Sequence, residues 1–152
     1  MTDYRELCLR LRGLTEGVPH LTADLANASA AIYEALEDVN WAGFYLLEGE
    51  TLVLGPFQGR PACIELRPGK GVCAAAVASG ATVRVEDVHA FPGHIACDAA
   101  SRSELVVPLR ARGRIVGVLD IDSPTAGRFT ASDQAGLEQA AAVLEETLEA
   151  LW

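Results

Sequence analysis

No apolar run in the 152-residue sequence approaches the length that crosses a bilayer. The N-terminus, MTDYRELCLRLRGL, mixes charges into its apolar positions and contains no signal-type stretch. These two absences make the cytoplasm the expected compartment and exclude a membrane partner. Cations are also scarce, with 12 Lys and Arg against 21 Asp and Glu and a formal net charge of -9. Without a basic stripe to neutralise phosphates, a nucleic-acid partner is excluded as well. The glycines around Lys70 precede a helical stretch, but their spacing is not that of a nucleotide-binding loop, and no Ser or Thr follows in the required place. At most they suit a carboxylate-sized anion at the helix start. Cysteine is sparse too: four in a chain with a competent core read as reduced thiols rather than a secreted disulfide framework. Repeats, linkers and low-complexity tracts are all missing, so residues 1–152 are expected to form one domain.

What is present is an ordered alternation of patterns. Leu7, Leu11 and Leu14 recur at helical spacing until Pro19 interrupts them, with Cys8 among the apolar positions as a helix contact. Leu21, Leu25, Ala28, Ile32 and Leu36 form a second stripe, with Thr22 or Asp24 available as a cap. From Trp41 to Leu47 the chain reads as a strand, followed by a turn at 48–50 and a second strand from Thr51 to Leu54. Residues 55–61, with two glycines and two prolines, read as a loop, and Ala62 to Leu66 as a short strand carrying Cys63. A small-residue helix carrying Cys73 runs from Val72 to Ala78 and is ended by Ser79-Gly80. Strands are expected from Thr82 to Val85, Leu105 to Leu109 and Ile115 to Ile121. The last two are joined by a turn at 110–114. A final helix starts at Thr130, with Asp133 as capping-box partner, and continues to Trp152. Helices at both ends with mostly antiparallel hairpins between them imply an α+β fold, a sheet with helices packed on one face.

Chemistry concentrates around one loop, Gly93 to Ser101, which carries Cys97. A cysteine on a loop tip reaches solvent and can be oxidised, unlike one facing a core, although a lone free cysteine often only fills space. Asp120 and Asp122 point the same way from one strand. The unbroken apolar run before them, Ile115 to Leu119, implies that both faces of that strand are covered rather than wet. Two covered carboxylates cannot both stay charged cheaply, so they share a proton or recruit a cation, and Glu104 at the start of the neighbouring strand can join them. A carboxyl kept protonated in this way is a general acid. In the first hairpin strand, Trp41, Gly43 and Tyr45 share a face. Periodicity favours core packing over pocket lining for both aromatics. His89, His94 and Cys97 make a poor zinc pattern without a close cysteine pair, so no metal is expected.

The segments NWAGFYL, LVLGPFQGRPAC, GKGVC, EDVHAFPGHIACDAAS, SELVVPL, GVLDIDS and GRFT resemble those of the free methionine-(R)-sulfoxide reductases, enzymes of the GAF fold class. The resemblance runs from about Asn40 into the final helix. It implies a GAF-like central antiparallel sheet of about six strands, with the N- and C-terminal helices on one face. It implies Cys97 as the catalytic cysteine, Cys63 as the principal resolving cysteine and Cys73 as a third thiol that assists recycling. Glu104, Asp120 and Asp122 match the family's acidic pocket residues, and Trp41 and Tyr45 its aromatic wall. Cys8 lies outside the pattern.

The activity so implied is reduction of free L-methionine-(R)-sulfoxide to methionine, with no cofactor. Glu104 donates to the sulfoxide oxygen, Cys97 attacks sulfur and becomes a sulfenic acid, and Cys63 resolves it as a disulfide. By the same resemblance thioredoxin reduces that disulfide, and a homodimer paired through the terminal helices is allowed. The competing reading is a GAF-type small-ligand or redox sensor without turnover.

Overall fold

The computed structural model describes residues 1–94 and 99–152. Cys97, expected on the central loop, lies outside the described residues. Helices α1 (Tyr4–Thr15) and α2 (Leu21–Ala35) lead into strands β1 (Trp41–Glu48), β2 (Thr51–Gly59) and β3 (Glu65–Leu66). Helix α3 (Val72–Ser79) precedes β4 (Val83–Val85), β5 (Ser103–Ala111) and β6 (Arg114–Ser123), and α4 (Ala131–Leu151) closes the chain. The six strands make one sheet in the order β3-β2-β1-β6-β5-β4, with antiparallel pairing throughout. The α+β architecture expected from the sequence is therefore the observed one.

Alternation along the central strands divides the interior in two. Ala42, Phe44, Leu105, Val107, Leu119 and Ile121 face the helical layer and bury against Leu11, Leu25, Ile32, Leu137, Leu144 and Leu148 of α1, α2 and α4. On the opposite face Trp41, Tyr45, Val106 and Val118 form a second core with Val72, Cys73 and Ala76 of α3. The run 115–119 is apolar because β6 sits mid-sheet with both sides covered. Any polar residue on its second face is consequently placed under α3, away from bulk water.

Three local expectations give way. Residues 55–61 do not form a loop throughout, since β2 continues to Gly59 and pairs with β1 across an irregularity between Gly43 and Tyr45. Pro56 is tolerated because β3 pairs only with Leu52 and Val53, leaving that part of β2 without a second neighbour in the ladder. The strand expected over Ala62 to Leu66 is a ladder of only Glu65–Leu66, although Leu54 N–H still donates to Ile64 C=O at 2.9 Å. Cys63 thus precedes the strand. Neither Thr22 nor Asp24 caps α2. His20 occupies that position without a side-chain bond, and both expected caps fall inside the first turn.

The capping box of α4 forms as the sequence indicates. Asp133 N–H donates to Thr130 Oγ1 at 3.1 Å, and Thr130 N–H donates to Asp133 Oδ2 at 2.9 Å. Tyr4 OH donates to Asp133 Oδ1 at 2.6 Å and Arg128 Nη1 to Oδ2 at 3.0 Å, which ties α1 to α4. Gly136 makes room for this contact, since a Cβ there would lie 2.1 Å from the Tyr4 ring. Burial pushes the Asp133 carboxyl up, but the hydrogen bonds from Tyr4 and Thr130 and the Arg128 charge outweigh it and hold the group below its ordinary value. A depressed native pKa gives stability that is present above the unfolded value and lost as pH falls through the native one. Asp133→Ala is expected to cost about 1–2 kcal/mol in urea melts at neutral pH, with the deficit shrinking in acid.

Candidate active site

Register places the acids. On β6, Asp120 and Asp122 share the α3 face. Asp122 pairs with Trp41 of β1 and with Glu104 of β5, while Asp120 pairs with Gly43 and Val106. Glu104, Asp120, Asp122, Trp41 and Tyr45 therefore come from adjacent central strands onto one patch. All five line a cavity of about 60 Å³ roofed by Val72 and Cys73 of α3. That volume holds a few waters or part of a small polar ligand. Gly43, between the two aromatics, carries no side chain because a Cβ there would sit 2.3 Å from Phe57 Cβ and 2.9 Å from Trp41 Cη2.

The two aromatics serve core and cavity together. Their rings lie 5.9 Å apart, nearly parallel, and Trp41 also stacks on Phe57 at 5.1 Å. Each polar end is fixed: Trp41 Nε1 donates to Arg60 C=O at 3.1 Å and Tyr45 OH to Cys63 C=O at 2.9 Å. These bonds dock the segment carrying Cys63 against the cavity wall. Periodicity alone set packing against lining. The structure shows both, because one side of each ring is buried and another edge reaches the cavity.

Two of the acids are buried, and Asp122 is half-buried beside them. Asp120 is 5% exposed and Glu104 9%. Burial, and then the charges of Asp120 and Asp122, push the Glu104 carboxyl well above the carboxylate range. Burial raises Asp120 too, but hydrogen bonds from Glu104 and Cys73 favour its ionised form. Of the two, Glu104 is therefore the group whose protonated form is favoured, with Asp120 as its hydrogen-bond acceptor. Asp120 Oδ1 is buried without a hydrogen-bond partner, and no Lys or Arg lines the cavity among the described residues. The site is built to receive a group that donates hydrogen bonds and carries positive charge.

The thiols fall into distinct states. Cys63 is disulfide-bonded, whereas Cys8 and Cys73 are free. Cys73 is 4% exposed, with Sγ 4.0 Å from Glu104 Oε2. Burial first, then the charges of Asp120, Glu104 and Asp122, push its thiol well up. Cys8 packs half-buried against the helical core, as expected.

One minor expectation resolves differently. The Gly71 N–H does not face an anion, since it donates to Gly93 C=O at 2.9 Å and clasps two glycine-containing loops together. His89 and His94 meet edge to face at 6.0 Å, and burial followed by the His89 charge lowers the His94 imidazole. His94 and Ser101 line the cavity without having been singled out for it. Ser101 accepts from Asn40 Nδ2 at 3.2 Å. Their place in the wall depends on long-range loop contacts that no local pattern encodes.

Comparison with known proteins agrees with this geometry. Residues 22–149 match the GAF domain family model. The chain is 56% identical over 145 residues to the free methionine-R-sulfoxide reductase of Escherichia coli, covering 95% of this chain and 88% of that protein. It superposes on the reduced form of fRMsr of Staphylococcus aureus with a TM-score of 0.94 and 48% identity, covering 97% of this chain and 96% of the other. With the free methionine-R-sulfoxide reductase of Neisseria meningitidis in complex with its substrate, the TM-score is 0.92 at 44% identity, covering 97% and 89%. An acidic cavity between sheet and α3, docked against a cysteine already in a disulfide, is thus carried on a fold shared almost end to end with these proteins, and the chain belongs to the free methionine-R-sulfoxide reductase family within the GAF domain class.

Proposed function

We propose that the protein reduces free L-methionine-(R)-sulfoxide to methionine, with Cys97 as nucleophile, Cys63 as resolving cysteine and Cys73 as a reserve thiol. The observation that carries this reading is the cavity that brings Glu104, Asp120 and Asp122 together beside Trp41 and Tyr45, with a buried Asp120 oxygen that has no hydrogen-bond partner. The substrate's ammonium group seats between Asp120 and Asp122, a contact that a methionine inside a peptide does not offer. Trp41 and Tyr45 pack against the S-methyl group. Glu104 donates its proton to the sulfoxide oxygen, and the Cys97 thiolate takes that oxygen from sulfur, so that methionine leaves and Cys97 becomes a sulfenic acid. Cys63 displaces water from the sulfenic acid and forms a disulfide with Cys97. The disulfide state of Cys63 supports this pairing. An external dithiol, thioredoxin in this reading, restores both thiols and is itself oxidised.

The test is turnover of stereodefined substrates with a dithiol reductant. Methionine release from the free R epimer, and none from the S epimer or from a peptide containing methionine sulfoxide, supports the reading. Ligand binding with no methionine release from either epimer overturns it in favour of a sensor. Within the same assay, Cys63→Ser is expected to release about one equivalent of methionine per enzyme and then stall, unless Cys73 takes over resolution at a slower rate. Sustained turnover at the parental rate removes Cys63 from the resolving role, and turnover lost only in Cys63→Ser/Cys73→Ser assigns the reserve role to Cys73.

A further inference from the structure

We propose that Cys73, Glu104 and Asp120 form a binding site for a thiophilic divalent cation of the Zn²⁺ or Cd²⁺ class, which acts as an inhibitor and not as a cofactor. One sulfur and one oxygen from each carboxyl group lie within 4.8 Å of one another. Zinc bonds to sulfur at about 2.3 Å and to carboxylate at about 2.0–2.2 Å place such atoms roughly 3.5 Å apart, so a contraction of about 1 Å closes the set. A second observation points to a cation as the ligand. Asp120 is 5% exposed, lines the cavity, and has an oxygen with no hydrogen-bond partner.

Proximity of three acidic groups, unfavourable when all are ionised, becomes favourable around a dication. Binding displaces the Cys73 thiol proton and the proton held by Glu104 to solvent, leaving one thiolate and two carboxylates around the metal. The ligand set is of mixed hardness, which suits a borderline or soft ion and disfavours Mg²⁺ and Ca²⁺, which require all-oxygen ligands. The ligands come from α3, β5 and β6, three elements packed in one core.

The site does not require the thiol of Cys63, so the oxidised protein is the proper test material. Cd²⁺ added to oxidised wild-type protein is expected to give one equivalent of a thiolate-to-cadmium charge-transfer band. Cys73→Ser is expected to abolish the band, and Cys8→Ser to leave it intact. Glu104→Gln and Asp120→Asn, which keep the thiol and the side-chain volume, are each expected to retain the band with affinity at least tenfold weaker. Absence of a band in the wild type, its persistence in Cys73→Ser, or its loss in Cys8→Ser overturns the proposal. The effect on catalysis rests on the proposed reductase reading: Zn²⁺ then inhibits competitively with the sulfoxide, and free methionine displaces Cd²⁺. Cadmium held at Cys73 but not displaced by methionine leaves the metal site standing and removes the ammonium seat from Asp120.

Discussion

Cys97→Ser is expected to release no methionine even in a single turnover, a loss on the order of 10³-fold or more in kcat. The size follows from the step that serine cannot perform. Oxygen transfer from sulfoxide sulfur needs a nucleophile that ends as a stable sulfenic acid, whereas a serine hydroxyl cannot accept that oxygen reversibly. No other thiol can take its place directly. Cys73 is nearly sealed from solvent and its thiol is pushed well up, so little thiolate is available from it at neutral pH. Cys63 is held at the cavity wall by the bond from Tyr45 OH to its carbonyl and is the thiol proposed for resolution. Rapid-quench measurement of methionine with reduced enzyme in excess separates this loss from failure of recycling, because neither Cys63 nor thioredoxin takes part in the first release. A Cys97→Ser enzyme with the parental single-turnover rate rejects the nucleophile assignment.

The same acids create a difficulty that the substrate itself resolves. Carboxylates near a thiol disfavour its thiolate, as they do for Cys73. In the proposed binding mode, an ammonium seated at Asp120 and Asp122 would offset that charge when substrate is present. Alkylation of Cys97 is accordingly expected to accelerate when an unreactive ammonium analogue such as free methionine is bound. An unchanged or slower rate counts against substrate-assisted activation.

Sequence alone conveyed most of this arrangement, for identifiable reasons. The pairing of Asp120 with Asp122 on one face is a consequence of strand period, and the burial of Asp120 follows from the apolar run that precedes it, whereas Asp122 nearer the strand end is half-buried. Glu104 joins them because it lies opposite Asp122 in the β5–β6 ladder, whose turn is marked by Gly113. The α4 start was legible because Thr130 and Asp133 stand at capping-box spacing. Less was legible where distant contacts override local chemistry. The glycines and prolines of 55–61 signal a loop, yet pairing with β1 extends β2 to Gly59. The approach of Cys73 to Glu104 requires α3 to be laid across the sheet, and nothing local to Val72–Ser79 fixes that placement. Nor does any pattern near Ser101 announce that it walls the cavity.

Glu104→Gln is expected to lower kcat by about 10²- to 10⁴-fold while leaving the KM for methionine sulfoxide within severalfold, since it removes proton donation and preserves shape. The sign of its pH dependence can be worked from the site. Burial and the charges of Asp120 and Asp122 raise the Glu104 carboxyl well above its ordinary range, so the acid form persists into the pH range in which a free carboxylate would have lost its proton. Chemistry should therefore hold while Glu104 stays protonated and fall as pH rises through its raised value. The requirement for Cys97 thiolate acts in the opposite direction, so the single-turnover rate should be bell-shaped in the wild type. Glutamine cannot lose a proton in this range. The variant should lose the falling limb and keep only the rise that reports the thiol. A wild-type profile that persists unchanged in Glu104→Gln assigns the falling limb to another group, with Asp120, the partner in the shared proton, next to be replaced. If glutamine leaves the rate itself at the parental level, protonation of the sulfoxide oxygen must come from elsewhere in the cavity.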